Sequence, residues 1–273
     1  MRLMVLGTSS NAGKTTMNAV ICRYMKRRGA DVVPFKASNL SLNSYITGSG
    51  SEIGMGQALQ AWACGEEPVT EMNPILLKPL GHGCIQYLIG GKVVSEGKRP
   101  DTEFLVGKAC EAFDSLQSEH ESVICEGSGS PVELNLMERD VANLRMAKER
   151  DMDIVLVGDI ERGGVYAALY GTWLLIPEEQ RPHVRGFIIN RFRGDDSILE
   201  SANRRLEELT GMKCIGIMPS TEVRLPEEDT LSDRNPGKDP ADAHRGYMES
   251  LDRLTDIAEK ELDLDYLMSL GSS

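Results

Sequence analysis

Short unbroken apolar runs alternate along this chain with longer stretches in which apolar residues recur at helical spacing. The runs "RLMVLG", "DVVPFK", "SVICEG", "DIVLVGDI", "VRGFIINR" and "KCIGIMP" read as strands buried on both faces, since a strand with one wet face would alternate polar and apolar residues. Alternation of such strands with helices builds βαβ units. The expected fold class is therefore α/β: a mostly parallel, doubly wound sheet with helices on both faces, whose ligands gather at the carboxyl ends of the strands. Two segments depart from the pattern. Leu76 to Val94 is β-rich with glycine turns and reads as an excursion from the main sheet. Residues 235–243, "NPGKDPADA", have turn and charge composition, and after them Met248, Leu251, Leu254, Ile257 and Leu262 keep helical spacing. The expected organisation is one domain over residues 1–234, then a linker and C-terminal helix over 235–273 packed on the same domain.

Composition narrows the function. Of 273 residues 41% are apolar, enough for a sizeable core, and the net charge of −12 speaks against general affinity for nucleic acid or an anionic membrane. The 6 cysteines contain no CxxC pair, which removes the usual zinc and disulfide readings and leaves reduced thiols. No apolar run reaches the length of a membrane span, and the first run leads into a glycine loop instead of a cleavage site. A cytoplasmic location is expected.

That loop is "GTSSNAGKTT", Gly7 to Thr16, between the first strand and the first helix. A glycine-rich turn in this position offers backbone N–H groups and the positive end of a helix to nucleotide phosphates; Lys14 adds a point charge, and Thr15 a hydroxyl for magnesium. Five residues separate Gly7 from Gly13 where the common pattern has about four. Either Thr8 stands in for the first glycine or the loop is one residue longer. The loop lacks a second lysine near its start, the feature with which partitioning and cell-division ATPases reach across a dimer.

Other strand ends carry chemistry. Lys36 follows the second run, and Ser38, Asn39, Ser41, Asn43 and Ser44 crowd the loop after it; a lysine there can neutralise charge in phosphoryl transfer. Glu126 ends the run "SVICE", where a second magnesium ligand belongs opposite Thr15. Asp140, Asn143 and Arg145 lie on or near a helix start, and Asp159, Glu161 and Arg162 end the next strand. Asn190 ends another, followed by Arg191, Arg193 and Asp195; an asparagine there can read a base edge or simply cap a turn. The arginines can clamp a polyanion or pair with neighbouring acids. His82 and Cys84 read as a glycine turn with a packed thiol, since no orienting group is spaced nearby.

The series "GTSSNAGKTT", "PFKASNLSLNS", "EIGMGQALQA", "MNPILLKP", "EGSGSPVELNL", "RDVANLRMA", "VLVGDIERGGVYAALYGT", "GFIINRFRGD" and "LPEEDTL" resembles, in order, the synthase domain of cobyric acid synthase, over about residues 1–232. The resemblance implies the P-loop NTPase architecture of dethiobiotin synthetase, whose loop likewise has five residues between its glycines. It implies ATP and Mg²⁺ as cofactors and amidation of peripheral carboxylates of a corrin, cobyrinic acid a,c-diamide, in cobalamin biosynthesis. Carried over by position, it puts the nucleotide on Thr8, Ser9, Asn11, Ala12, Gly13, Lys14, Thr15 and Thr16 of the loop, adenine on Asn190, and magnesium on Thr15 and Glu126. Lys14, Lys36 and Asp140 become catalytic, with Lys36 facing the transferred phosphate. Ser41, Asn43 and Ser44 on the phosphate side, and Asp159 and Arg162 on the corrin side, become substrate contacts.

Members of that family continue into a glutaminase domain with a cysteine nucleophile. About 40 residues follow the "EEDTL" motif here, with no cysteine and a single histidine, His244. The expectation is ammonia from a separate glutaminase subunit or from solution, or a different acyl acceptor. Two rivals stay open: activation of another carboxylate or amine in the dethiobiotin synthetase manner, and a nucleotide-binding subunit active only in a complex. Oligomeric state is open too, a homodimer resting on analogy alone.

Overall fold

The computed structural model describes residues 1–41, 43–221 and 240–270. The motif at 225–231 and residues 235–239 of the expected linker lie outside them. The chain runs β1 (Arg2–Gly7), α1 (Lys14–Arg27), β2 (Val32–Phe35), β3 (Ser38–Leu40), β4 (Ser44–Ile46), β5 (Glu52–Gly54), α2 (Met55–Cys64), β6 (Ile75–Gly81), β7 (Cys84–Ile89), β8 (Lys92–Glu96) and α3 (Thr102–Glu119). It continues through β9 (Ser122–Glu126), α4 (Leu144–Glu149), β10 (Asp153–Asp159), α5 (Val165–Leu175), β11 (Val184–Phe192), α6 (Glu200–Thr210), β12 (Lys213–Pro219), α7 (Pro240–Glu261) and α8 (Leu264–Ser269).

All six apolar runs form strands of one sheet, in the order β12-β11-β10-β1-β9-β2. Every pairing in it is parallel, so the expected mostly parallel sheet is wholly parallel. Alternation along β1 shows why it must be covered twice: Met4 and Leu6 face the core under α3, α4 and α5, while Leu3 and Val5 face the core under α1, α2 and α7. The chain is thus a doubly wound α/β fold. β9 and β10 flank β1, and the strand order reverses there, which opens a crevice at the carboxyl ends of these three strands.

Among the described residues the antiparallel ladders lie in the side structures, apart from a single bridge between Gly216 of β12 and Leu262. The β-rich segment expected as an excursion forms β6, β7 and β8, which join β3 in a four-stranded sheet, and β4 pairs with β5 in a hairpin. Helix α7 begins at Pro240, inside the stretch whose composition reads as linker, and proline is at home in a helix's first turn. Its Leu251 and Leu254 are buried against α1, and Asp252 and Asp256 pair with Arg23 and Arg27 of that helix. Among the described residues no helix is long and apolar enough to cross a membrane.

Candidate active site

The start of α1 shows what the loop is built for. Helices α3 and α8 are capped by Asp101 and Asp263, whose carboxylates accept from Phe104 N and Tyr266 N. Helix α1 has Gly13 in that position, no side-chain cap and no acidic residue in its first turn, so its N–H groups stay available to an anion. Gly13 has φ +100°, and a Cβ there would run into the Asn190 amide; no other residue fits both conditions. The Asn190 Nδ2 donates to the Ala12 carbonyl at 3.0 Å and braces the loop from below. Lys14 folds back along Gly7, and its Nζ donates to the Ser9 carbonyl at 3.0 Å.

One carboxylate organises the floor. Glu126, 1% exposed at the end of β9, accepts through Oε1 from the Thr15 hydroxyl at 2.7 Å and from Lys36 Nζ at 3.0 Å. Its Oε2 accepts from Gln60 Nε2 at 2.7 Å. Burial alone would raise this carboxyl's pKa, but Lys36, Thr15, Gln60 and Lys14 together outweigh that and hold it below the ordinary range. Lys14 is shifted the other way, down to about 8, because burial and the nearby Lys36 oppose its charge more than Glu126 supports it.

These groups sit at the foot of a cavity of about 1120 Å³, walled by the phosphate loop, Lys36 to Leu40, Glu126 to Pro131 and the 136–143 turn. That exceeds the roughly 300–1,000 Å³ of a pocket for one drug-sized ligand, so a nucleotide leaves room for a second molecule. Arg99, Arg139, Arg162 and Arg191 also line the cavity, with Leu136 and Met137. Arg191, in the left-handed region at φ 64°, is held to Asp159 at 2.8 Å, and Arg193 pairs with Glu161 at 2.8 Å. Among the described residues Arg139 and Arg162 have no carboxylate within ion-pair distance.

Other residues singled out in the sequence are placed differently. The Ser41 hydroxyl donates to the Asn43 carbonyl, and the Ser44 hydroxyl donates to Glu52, which also holds Lys78. Ser41, Asn43 and Ser44 are not among the residues that line the cavity; they shape the loop after Leu40. Asp159 is likewise off the wall, spent on Arg191 and on the Glu161 N–H. Asp140 lines the cavity, but both of its oxygens accept backbone N–H groups, from Ala142, Asn143 and Arg145, which start α4. Asn143 in turn exchanges two hydrogen bonds with the Ser128 backbone, tying this turn to the end of β9.

Gln60, Gln57 and Asn18 carry no role in the sequence reading. Their signal was two glutamines at i and i+3 in the otherwise apolar "MGQALQAWAC", a spacing that puts both on one face of a helix. Both are completely buried: Gln60 reaches Glu126, and Gln57 accepts from Asn39 Nδ2 at 2.9 Å. Arg99 and Arg139 gave no such signal, since only the tertiary fold brings them to the cleft.

The family described as "CobQ/CobB/MinD/ParA nucleotide binding domain" matches residues 3–231. The chain belongs to it. It is 48% identical over 236 residues to a probable cobyric acid synthase of Methanoculleus marisnigri, covering 85% of this chain and 48% of that one. To the cobyric acid synthase of Acaryochloris marina it is 48% identical over 234 residues, covering 84% and 47%. The chain thus spans about half the length of the curated relatives it matches. Among solved structures, the signal recognition particle receptor FtsY of Elizabethkingia anophelis aligns with a TM-score of 0.50 at 15% identity, over 91% of this chain and 64% of that one, a likeness of fold alone. The family's description names a nucleotide-binding domain, and the uncapped start of α1 leaves N–H groups of the kind that phosphates accept from.

Two oxygen donors, the Thr15 hydroxyl and the Glu126 carboxylate, meet at 2.7 Å beside the loop. Hard oxygen donors of this kind suit magnesium, which keeps several waters and leans on substrate phosphates. Among the described residues no group of three or more His, Cys, Asp or Glu side chains could hold a metal by itself. The donor set fits an ion that arrives with a nucleotide.

Proposed function

We propose that this chain is an ATP- and Mg²⁺-dependent amide-forming ligase of the cobyric acid synthase type, which converts peripheral carboxylates of cobyrinic acid a,c-diamide to amides through acyl phosphates. The observation that carries this reading is the convergence of Lys14, Lys36, Thr15 and Glu126 at the foot of a cleft also lined by Arg139 and Arg162, which have no carboxylate partner among the described residues. The names of the similar proteins supply the substrate class.

A carboxylate repels nucleophiles and has no leaving group, so it must be activated. The first-turn N–H groups of α1 and Lys14 would hold the β- and γ-phosphates of ATP. Lys36 would follow the γ-phosphoryl group as its charge spreads in transfer. Thr15 and Glu126 would hold magnesium, which when bound shields phosphate charge. A substrate carboxylate oxygen, steered by Arg139 and Arg162, takes the phosphoryl group while its bond to the bridging oxygen breaks and ADP departs. Ammonia then adds its lone pair to the acyl carbon, the bond to phosphate breaks, and the surplus proton leaves with phosphate, giving the amide. Asp140, with both oxygens engaged by backbone, supports this wall by shaping the 140–145 turn. Asn190 supports the loop from below, in preference to reading a base.

The test is phosphate release with MgATP and ammonium chloride, with and without cobyrinic acid a,c-diamide, alongside the product mass. Corrin-dependent release with conversion of carboxylate to amide is expected. ATP binding without either effect would overturn the corrin assignment.

A further inference from the structure

The two oxygens of Glu126 are not equivalent, and the cause lies one layer behind them. A carboxylate can only accept hydrogen bonds, so the Gln60 amide must turn its Nε2 toward Oε2, which it does at 2.7 Å. The same nitrogen reaches the Thr15 carbonyl at 3.4 Å. Gln60 then has only Oε1 left for its other side, where Asn18 Nδ2 donates at 3.0 Å. The charge on Glu126 thereby dictates the direction of both amides, and both residues are 0% exposed, so water offers neither an alternative partner. Oε2 is closed off from behind while Oε1 faces Thr15 and Lys36 at the cleft.

We infer that Gln60 is a positioning residue that makes Glu126 a one-oxygen ligand and so sets which divalent cation the site accepts. This rests on the reading of Thr15 and Glu126 as the magnesium corner. Mg²⁺ takes a near-octahedral set at short distance, for which one carboxylate oxygen serves; Ca²⁺ takes six to eight oxygens at longer distance and uses both oxygens of a carboxylate readily. With Oε2 held by Gln60, the second of these is denied. Asn18 makes the arrangement stiff: turning the Gln60 amide over would set its oxygen against the carboxylate and its nitrogen against the Asn18 amide nitrogen. Outer partners of this kind are what tune metal sites in general.

The experiment is calorimetric titration of the intact chain with ATP in Mg²⁺ or in Ca²⁺, for the wild type, Gln60→Met and the double variant Asn18→Leu/Gln60→Met. The double variant removes both amides together, so the Asn18 donor is not stranded; Glu126 Oε2 loses its donor in both variants, and a thermal melt checks that each stays folded. The wild type is expected to bind ATP about tenfold or more tightly with Mg²⁺ than with Ca²⁺, and the variants to bring that ratio to within about threefold, largely through better binding with Ca²⁺. A folded variant in which both cations lose affinity by the same factor, or in which the ratio stays put, overturns the proposal and leaves the magnesium corner standing. A wild type that binds ATP equally well without any divalent ion overturns both.

Discussion

The two walls of the cleft use the same kinds of charge under opposite conditions. At the phosphate corner Lys14, Lys36 and Glu126 are buried and bonded to one another's neighbours, with Gln60 behind them. At the rim Arg139 and Arg162 are exposed, and Leu136, which lines the same cavity, is 53% exposed. Charges in the corner act through a low effective dielectric and cannot move far, which suits a fixed transition-state geometry. Rim charges are screened and flexible, which suits following a ligand of varied outline. Mutations in the corner should therefore reach the fold, nucleotide binding or turnover, whereas those at the rim should affect substrate alone.

The largest effects belong to the corner. Lys36→Met should lower turnover about 10³-fold or more, while ATP affinity measured by calorimetry changes far less, because this lysine is assigned to the transferred group. Glu126→Gln keeps the shape but leaves Lys36 and Lys14 without their counter-charge, and a chemical melt should show a loss of about 3 kcal/mol. Retained stability in that variant would mean the corner is wetter than its burial indicates. Gly13→Ala comes next: the strained φ and the Asn190 amide should cost about 1–3 kcal/mol and weaken ATP binding in proportion.

Lys14 sharpens the contrast through pH. Its pKa, near 8 in the free protein, must rise when phosphates settle beside it, so binding takes up a proton wherever the free lysine is neutral. ATP affinity should be full below about pH 7, about twofold weaker near pH 8 and about tenfold weaker at pH 9 than at pH 7. The free fold should show the reverse trend. An unfolded chain keeps this proton up to its ordinary pKa of 10.5, so the protein should gain about 1 kcal/mol of stability between pH 7 and 9. Lys14→Arg, charged throughout, should lose both trends; their persistence would assign them to another group.

How much of this was legible in the sequence follows from the same contrast. Strands buried on both faces announce themselves as apolar runs, and the loop and Lys36 and Glu126 sit directly at their ends, so the sheet and three sides of the corner could be read off. Gln60 offered only the spacing it shares with Gln57 in an apolar helix, and a glutamine in a helix ordinarily faces water, so nothing tied it to Glu126. The serines after Lys36 are ambiguous for a related reason: hydroxyls bond to neighbouring chain as readily as to a ligand, and Ser41 reaches the Asn43 carbonyl while Ser44 reaches Glu52. The rim was the least readable, since Arg99 follows β8 and Arg139 lies in the turn before α4, and their meeting depends on the side sheet.

The smallest effects separate two arginines that are neighbours in the fold. Arg193 is exposed and paired with Glu161 at 2.8 Å, whereas Arg162 is exposed, lines the cavity and has no carboxylate partner among the described residues. An exposed pair contributes about 0–1 kcal/mol, so Arg193→Ala should shift the melt little and leave the kinetics alone. Arg162→Ala should be equally silent in the melt, within about 0.5 kcal/mol, since it has no carboxylate partner among the described residues. Its expected signature is a KM for the polycarboxylate raised about tenfold with kcat and the KM for ATP unchanged, the pattern of a contact made equally in ground and transition states. If the two variants behave alike, the rim is ordinary solvated surface, and the carboxylates must be held by Arg99 and Arg191, whose guanidinium groups are already fixed by Thr102 and Asp159.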